Sequence, residues 1–213
     1  MLSTSTSKLL YRSTLLLIFI GFIYTLVHEL GDNPLLDLYN FIPFHQAHQC
    51  SGSPVGVGFG TMPLQCSTNI TGTFFVMPLF GTSSFNLTSN LYEYCNDEIY
   101  TSTFDLTSGS TECQYNLASN SSYLVYKQDW PVKIPPNSVL YQSMFALCSS
   151  VSSYWFATNN TAVINPDGSV STFYCNAQNH PYEINCNPHN GCRTNALYSQ
   201  CELLSPYQVT CTN

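Results

Sequence analysis

The chain has 213 residues, of which only 12 are acidic and 5 basic, so that charged side chains make up 8% of it. A typical soluble domain carries about 25% charged residues, and a net charge of −7 leaves no basic surface that could neutralise nucleic-acid phosphates. These numbers exclude a nucleic-acid-binding protein and disfavour an ordinary cytosolic enzyme.

The N-terminal segment has the features of an export signal. Lys8 and Arg12 precede the uncharged, mainly apolar residues 13–28. This run is as long as a signal-peptide core, at about 7–15 residues, or a short spanning helix, at about 17. Because no small-residue cleavage site follows it, we interpret residues 1–28 as a cytoplasmic flank and a signal anchor, one hydrophobic helix in the membrane. A cleaved signal peptide is the alternative.

Positive residues remain on the cytoplasmic side of a membrane, so the chain beyond residue 28 is predicted to be extracellular or lumenal. Residues 29–49 are predicted to be a juxtamembrane stalk. A short helix there would be capped by Asp32 or Asn33, begin at Pro34 and end before Pro43. Its apolar side would consist of Leu35, Leu36, Leu38 and Tyr39.

All the cysteines lie on the exported side of the chain, and their number is even. In an exported chain such a set predicts a disulfide framework, although the connectivity cannot be deduced from spacing. The ten residues are Cys50, Cys66, Cys95, Cys113, Cys148, Cys175, Cys186, Cys192, Cys201 and Cys211.

The exported part also contains four Asn-x-Ser/Thr sequons, at Asn69, Asn86, Asn120 and Asn159. Such sites are acceptors for N-linked glycans in secreted proteins. Because the chain has few charged side chains to keep it soluble, attached glycans would supply that solubility, and we predict a glycoprotein.

Residues 50–213 are predicted to form one β-rich, β-sandwich-like ectodomain. Several runs are rich in β-branched and aromatic residues, and helical periodicity is nearly absent. Residues 162–175 are typical of a hairpin, because the turn Asn165-Pro166-Asp167-Gly168 separates two such runs. The other predicted strands are 73–80, 121–127, 138–148 and 152–158.

Two segments of this ectodomain are predicted to be irregular. Residues 55–60 (Val-Gly-Val-Gly-Phe-Gly) lack the spacing of a phosphate-binding loop and are interpreted as flexible or bulged. Residues 175–213 hold half of the cysteines and no long apolar run, and they are interpreted as a loop-rich, disulfide-stapled cap.

The sequence motif that most resembles a metal-binding site consists of histidines close to a cysteine. His45 and His48 precede Cys50, while His180 and His189 flank Cys186. Zinc prefers such ligands, but a cysteine of an even, exported set is expected to be oxidised. We therefore predict neither a metal nor a cofactor.

No catalytic residue can be assigned from the sequence, which lacks a Gly-x-Ser-x-Gly elbow. An acidic cluster between residues 93 and 112 has the residue types of a glycosidase pair, which is the basis of an alternative function as a secreted polysaccharide hydrolase. Its members are Glu93, Asp97, Glu98, Asp105 and Glu112.

Four aromatic residues, Trp130, Tyr154, Trp155 and Tyr182, are candidates for a glycan-binding face. Aromatic residues of β domains more often fill the core, and we favour that role for them.

The sequence therefore predicts a membrane-anchored surface glycoprotein without enzymatic activity, which acts in recognition, adhesion or as an envelope component. Its partners would be the membrane, through residues 13–28, and a protein or glycan ligand. A structural coat protein is a further alternative.

Overall fold

A computed structural model describes residues 37–44, 50–90, 95, 98–106, 113–116, 121–145, 148–165, 167–202 and 205–213. The predicted signal anchor and the first part of the predicted stalk lie outside these residues. The described chain consists of antiparallel strands, and none of it is α-helical. The strands are β1 (Leu38–Phe44), β2 (Val57–Thr61), β3 (Cys66–Asn69), β4 (Gly72–Pro78), β5 (Ser84–Asn90), β6 (Glu98–Asp105), β7 (Cys113–Asn116), β8 (Ser121–Gln128), β9 (Val139–Met144), β10 (Val151–Ala157), β11 (Thr161–Ile164), β12 (Val170–Cys175), β13 (Pro181–Asn187), β14 (Gly191–Ala196) and β15 (Tyr207–Cys211).

These strands form one large sheet and two smaller ones. The large sheet has seven strands in the order β15-β9-β10-β2-β1-β8-β7. The other two are four-stranded, with the orders β3-β4-β5-β6 and β11-β12-β13-β14. The prediction of a mainly β, disulfide-stabilised domain is confirmed.

Both smaller sheets cover the same face of the large sheet. On that face, a row of directly opposite residues crosses six strands: Val125, Phe41, Phe59, Trp155, Tyr141 and Val209. At one end of the row, Phe41 and Phe59 pack in a buried cluster with Phe74, Val76, Phe85 and Phe104 of the β3–β6 sheet. At the other end, Val139 and Val209 pack with Val163 and Phe173 of the β11–β14 sheet. Trp155 contacts both clusters and so joins them into one core.

The opposite face of the large sheet has its own apolar cluster. Leu38, Ile42 and Phe156 are buried there because side chains alternate between the two faces of a strand. The segment after β8 covers this face through Trp130, Val132 and Ile134.

Strand β1 corrects the prediction of a stalk for residues 38–44. Instead of the apolar side of a short helix, these residues form a strand that pairs with β2 on one side and β8 on the other. All seven residues are buried, and the compact unit of the ectodomain begins at Leu36 rather than at residue 50. Apolar residues at both parities suit a strand buried on both faces, and Pro43 is accommodated one residue before its end.

Residues 57–60 form a regular strand instead of the predicted flexible or bulged segment. They lie in β2, in the middle of the large sheet, between β1 and β10. Two glycines there make room for rings of β10: a Cβ on Gly60 would lie 2.2 Å from Tyr154 Cε1, and one on Gly58 would lie 2.3 Å from Phe156 Cζ. The glycines are therefore packing residues.

The C-terminal part, residues 175–213, is predicted as a loop-rich cap, but it also contributes three strands to the sheets. It supplies β13 and β14 to the second small sheet and β15 to the edge of the large one. By contrast, the predicted hairpin at 162–175 is confirmed, with β11 and β12 in register from Thr161↔Phe173 to Ile164↔Val170.

The ten cysteines form five disulfides, which connect separate elements of the fold. Cys175–Cys211 links β12 to β15 and so joins the β11–β14 sheet to the large sheet. Cys186–Cys192 connects directly opposite residues of β13 and β14. The other pairs are Cys50–Cys113, Cys66–Cys95 and Cys148–Cys201.

Candidate interaction surface

The β11–β14 sheet has several polar side chains on the face that packs against the large sheet and mainly apolar side chains on the face that points away from it. Phe173 and Val163 face the large sheet and are almost fully buried. Glu183 lies directly opposite Phe173, and Asn185 directly opposite the buried Ser171. Cross-strand neighbours share a face, so Glu183 and Asn185 of β13 point inward with the buried Pro181, whereas Tyr182 and Ile184 point outward.

The inward polar side chains satisfy one another through hydrogen bonds. Ser171 donates to Glu183 Oε1 at 2.5 Å and accepts from the side-chain amides of Asn165, at 2.8 Å, and Asn185, at 3.0 Å. Asn195 donates to Glu183 Oε2 at 3.4 Å. Paired in this way, the carboxylate and amides are tolerated at a partly buried position.

A second serine repeats the arrangement. Ser169 donates to Asp167 Oδ1 at 2.6 Å and accepts from Asn165, at 2.9 Å, and Asn185, at 3.3 Å. The side-chain and backbone hydrogen bonds from Ser169 lower the pKa of Asp167, because they favour its charged form. This network holds the β11–β12 turn against β13.

The outward set of side chains forms a face without formal charge, which we call the outer face. None of its members is Asp, Glu, Lys or Arg, and Ile164 is 77% exposed. The outer face consists of Ala162, Ile164, Val170, Thr172, Tyr174, Tyr182, Ile184, Thr194, Ala196 and the disulfide Cys186–Cys192.

One end of the outer face is aromatic. The rings of Tyr174 and Tyr182 stack with centroids 5.5 Å apart and planes 16° from parallel. Next to them, His180 lies directly before β13, and its ring centroid is 6.0 Å from that of Tyr198, which follows β14. Gln200 donates a hydrogen bond to the Tyr198 hydroxyl at 2.5 Å.

The outward side of the β3–β6 sheet has a different chemistry. Phe75 and Met77 lie there beside threonine and asparagine, as in the row Met77↔Asn86↔Thr103. Thr103 donates to Asn86 Oδ1 at 2.9 Å. This side is mainly polar, so the apolar outer face is particular to the β11–β14 sheet.

Of the four aromatic candidates, only Tyr182 lies on the outer face. Tyr154 is 2% exposed and packs in the apolar cluster on the opposite face of the large sheet. The ring centroid of Trp130 lies 5.4 Å from that of Tyr154. The ring of Trp155 stacks on that of Tyr141, with the two centroids 3.9 Å apart. Tyr154 is therefore a core residue, and the partly buried Trp130 and Trp155 pack against the core.

The described sequons differ in exposure. Asn69 is 7% exposed, and its Oδ1 accepts two hydrogen bonds from Thr71. Asn86 is half-buried, and Asn159 is exposed at the turn between β10 and β11. Asn120 lies outside the described residues.

The predicted acidic cluster falls largely outside the described side chains, which include only Asp105 among its members. Asp105 is exposed and accepts hydrogen bonds from Ser83 and Ser84. His45 and His48 are likewise not described, and His180 and His189 are exposed. In the described part of the chain, no three His, Cys, Asp or Glu side chains are grouped as a metal site requires.

The described ranges contain no helical segment with the length and hydropathy of a membrane span. Residues 13–28, where we predict the anchor, lie outside those ranges.

Sequence reasoning missed the outer face although its pattern is visible. In Pro181–Asn187, apolar Tyr182, Ile184 and Cys186 alternate with polar Glu183, Asn185 and Asn187. Such alternation identifies two faces, and by default the apolar one is assigned to the core. Ser171 on β12 and Asn165 after β11 are the polar partners that reverse this assignment, and the sequence does not display the strand register that brings them to β13.

The layered sheets, the five disulfides and the uncharged face together define a disulfide-rich β protein of the type found in the secretory pathway or outside the cell. The chain belongs to the Counting factor-associated protein A/B/C family, whose profile matches residues 7–213. No curated protein and no solved structure matches the chain. Family and fold fit a secreted or surface protein without enzymatic activity.

Proposed function

We propose that this chain is a non-enzymatic surface glycoprotein that acts by associating with the counting factor, the partner to which the family's name refers. The observation that carries this proposal is the family match over nearly the whole chain. A surface of the kind used for protein association supports it, since the outer face is uncharged and partly aromatic.

The N-terminal segment gives this protein its place in the cell. Residues 13–28 act as an uncleaved signal anchor, with Lys8 and Arg12 on the cytoplasmic side and the disulfide-bonded domain outside.

The anchor is tested by the mass of the mature protein and by extraction of membranes with alkaline carbonate. We expect an intact N-terminus and retention in the membrane pellet. A mature chain that begins beyond residue 24 and is found in the medium would identify the secreted form instead.

The association is tested by direct binding. The full chain, expressed in a eukaryotic secretory pathway and purified in detergent, is immobilised and exposed to purified counting factor. We expect saturable binding that is lost when the chain is reduced and alkylated, because the five disulfides hold the fold. Absence of binding at about 100 μM, where weak specific complexes still register, would contradict the proposal.

A further inference from the structure

We infer that the outer face of the β11–β14 sheet is the surface that binds the counting factor, which contributes an uncharged, largely apolar protein surface to the contact. This inference rests on the proposed association and adds where and through which chemistry it occurs.

The outer face is an apolar sheet face that lacks a cover in the described part of the chain. The inner face of this sheet packs on the large sheet through Phe173, whereas Ile164 on the outer face is 77% exposed. The larger apolar residues at the centre of the outer face are half-buried: Val170, Tyr174, Tyr182 and Ile184. A partly exposed apolar area of this kind is a candidate site of interaction.

The outer face is uncharged although the chain as a whole is acidic. The chain has a net charge of −7, yet the outer face carries no ionic group, and the nearby Glu183 is turned inward to Ser171 and Asn195. A charged group of a partner buried on this face would lose its water without gaining a counter-charge, which is costly. The complementary partner surface is therefore uncharged.

The residue types of the outer face are those found at the centres of protein interfaces. Tyrosine is enriched among the residues that dominate the affinity of protein interfaces, while charged residues are depleted at interface centres. Tyr174 and Tyr182 are already stacked on each other. They would therefore lose little conformational freedom on binding.

The area of the outer face limits the kind of complex that it can form. Four strands at a spacing of about 4.8 Å and about six residues at a rise of about 3.4 Å give a face of roughly 400 Å². A stable interface buries about 800 Å² on each partner. The outer face alone is thus too small for a permanent dimer of this chain and suits a weaker, reversible contact with another protein.

The test places a charge on the outer face where the fold tolerates it. Ile164→Asp and Thr194→Asp alter exposed side chains on the two edge strands, β11 and β14. Met77→Asp is the matched control, since Met77 is also an exposed apolar strand residue but lies on the β3–β6 sheet. Circular dichroism and thermal unfolding verify that each variant folds.

Binding of purified counting factor to each variant is the readout. We expect Ile164→Asp and Thr194→Asp to weaken binding by about tenfold or more, and Met77→Asp to change it by less than about twofold. Wild-type binding should vary little between low and high salt, because no exposed charge pair contributes.

Each other result overturns the inference in a recognisable way. If the wild type binds and all three variants bind equally well, the association stands but occurs elsewhere. If the wild type does not bind, the proposed association fails, and this inference with it. A wild type that dimerises in sedimentation equilibrium and becomes monomeric in Ile164→Asp would assign the face to a second copy. Inhibition of binding by neutral oligosaccharides would assign it to sugar recognition.

Discussion

The hydroxyl of Tyr154 donates a 2.7 Å hydrogen bond to Oδ1 of Asn40, which lies 114 positions away in the chain. Asn40 is fully buried in β1, and its side-chain amide donates to the backbone oxygens of Leu38, Tyr126 and Gln128. The polar side chain of Asn40 is tolerated in the middle of an apolar face because all its hydrogen-bonding groups have partners. The pair also fixes how β10 and β1 align on either side of β2.

We expect Tyr154→Phe to lower the free energy of unfolding by about 1–3 kcal/mol, since it removes the donor to a buried amide oxygen. Denaturant titration of the purified domain measures the change. Tyr198→Phe is the control, because that hydroxyl is exposed and its loss should cost less than about 0.5 kcal/mol. Equal stabilities of the two variants would show that the Asn40 contact contributes nothing.

The glycines of β2 lead to a second prediction. A Cβ at Gly60 would lie 2.2 and 2.6 Å from two ring atoms of Tyr154, so Gly60→Ala should destabilise the domain by about 3 kcal/mol through overpacking. The control is Gly168→Ala, where the space is open and only the positive φ of 79° is strained. It should cost about 1 kcal/mol. Thermal unfolding that ranks the two variants in the reverse order would contradict the packing role of Gly60.

Two disulfides should contribute unequally to stability. Cys175–Cys211 spans 36 residues and Cys186–Cys192 only 6. Loop-closure entropy then predicts losses of about 4 and about 2 kcal/mol when each pair is replaced by alanine. Guanidinium titrations of the two double variants measure the difference. Equal losses would indicate that chain entropy is not the main contribution.

The stability of the domain should also depend on pH in the alkaline range. Burial raises the pKa of Tyr126 from 10.0 to about 12, and burial also raises the pKa of Tyr154 well above its ordinary value. Below pH 10 neither state ionises, so this contribution to stability is complete. Between about pH 10 and 12 the unfolded state ionises first, and stability falls.

Tyr126→Phe should therefore reduce the loss of stability between pH 10 and 12. Urea titrations at successive pH values, with a measurement at pH 8 as the reference for the substitution itself, test this. The same slope in the variant and the wild type would contradict a role of Tyr126.

The sequons should be used unequally. Asn159 is exposed, and its hydrogen bond with Cys175 N uses the side-chain oxygen and not the nitrogen that carries a glycan. The buried Asn69 has no room for a glycan in the folded domain. We expect glycopeptide mass spectrometry to find a glycan at Asn159 and none at Asn69, and Asn159→Gln to reduce the mass by one glycan. A glycan on Asn69 in the folded protein would refute the buried position.

Local chemistry made part of the fold predictable. The hairpin formed by β11 and β12 follows from its turn residues, and β4 and β8 follow from dense β-branched and aromatic runs. Strand β1 was mistaken for a helix because Pro43 is a common helix terminator, while the neighbours that bury both of its faces lie far along the chain.

The outer face was not predictable for a related reason. Whether Ile184 or Glu183 faces the core depends on the residues opposite them, and Ser171 and Asn165 are brought there only by the pairing of β12 with its neighbours. Spacing identifies the two faces of a strand but not which one is inside.

The disulfide between Cys186 and Cys192 has a consequence for recognition. These cysteines lie directly opposite each other on β13 and β14, and a slip of one residue would exchange the two faces of β14. Thr194 and Ala196 would then turn inward, while Arg193 and Asn195 would point outward. The covalent bond forbids this slip, so that oxidation determines which chemistry an edge strand displays to its surroundings. Under reducing conditions this restraint is absent, and a slipped β14 would place the Arg193 guanidinium on a face that is otherwise uncharged.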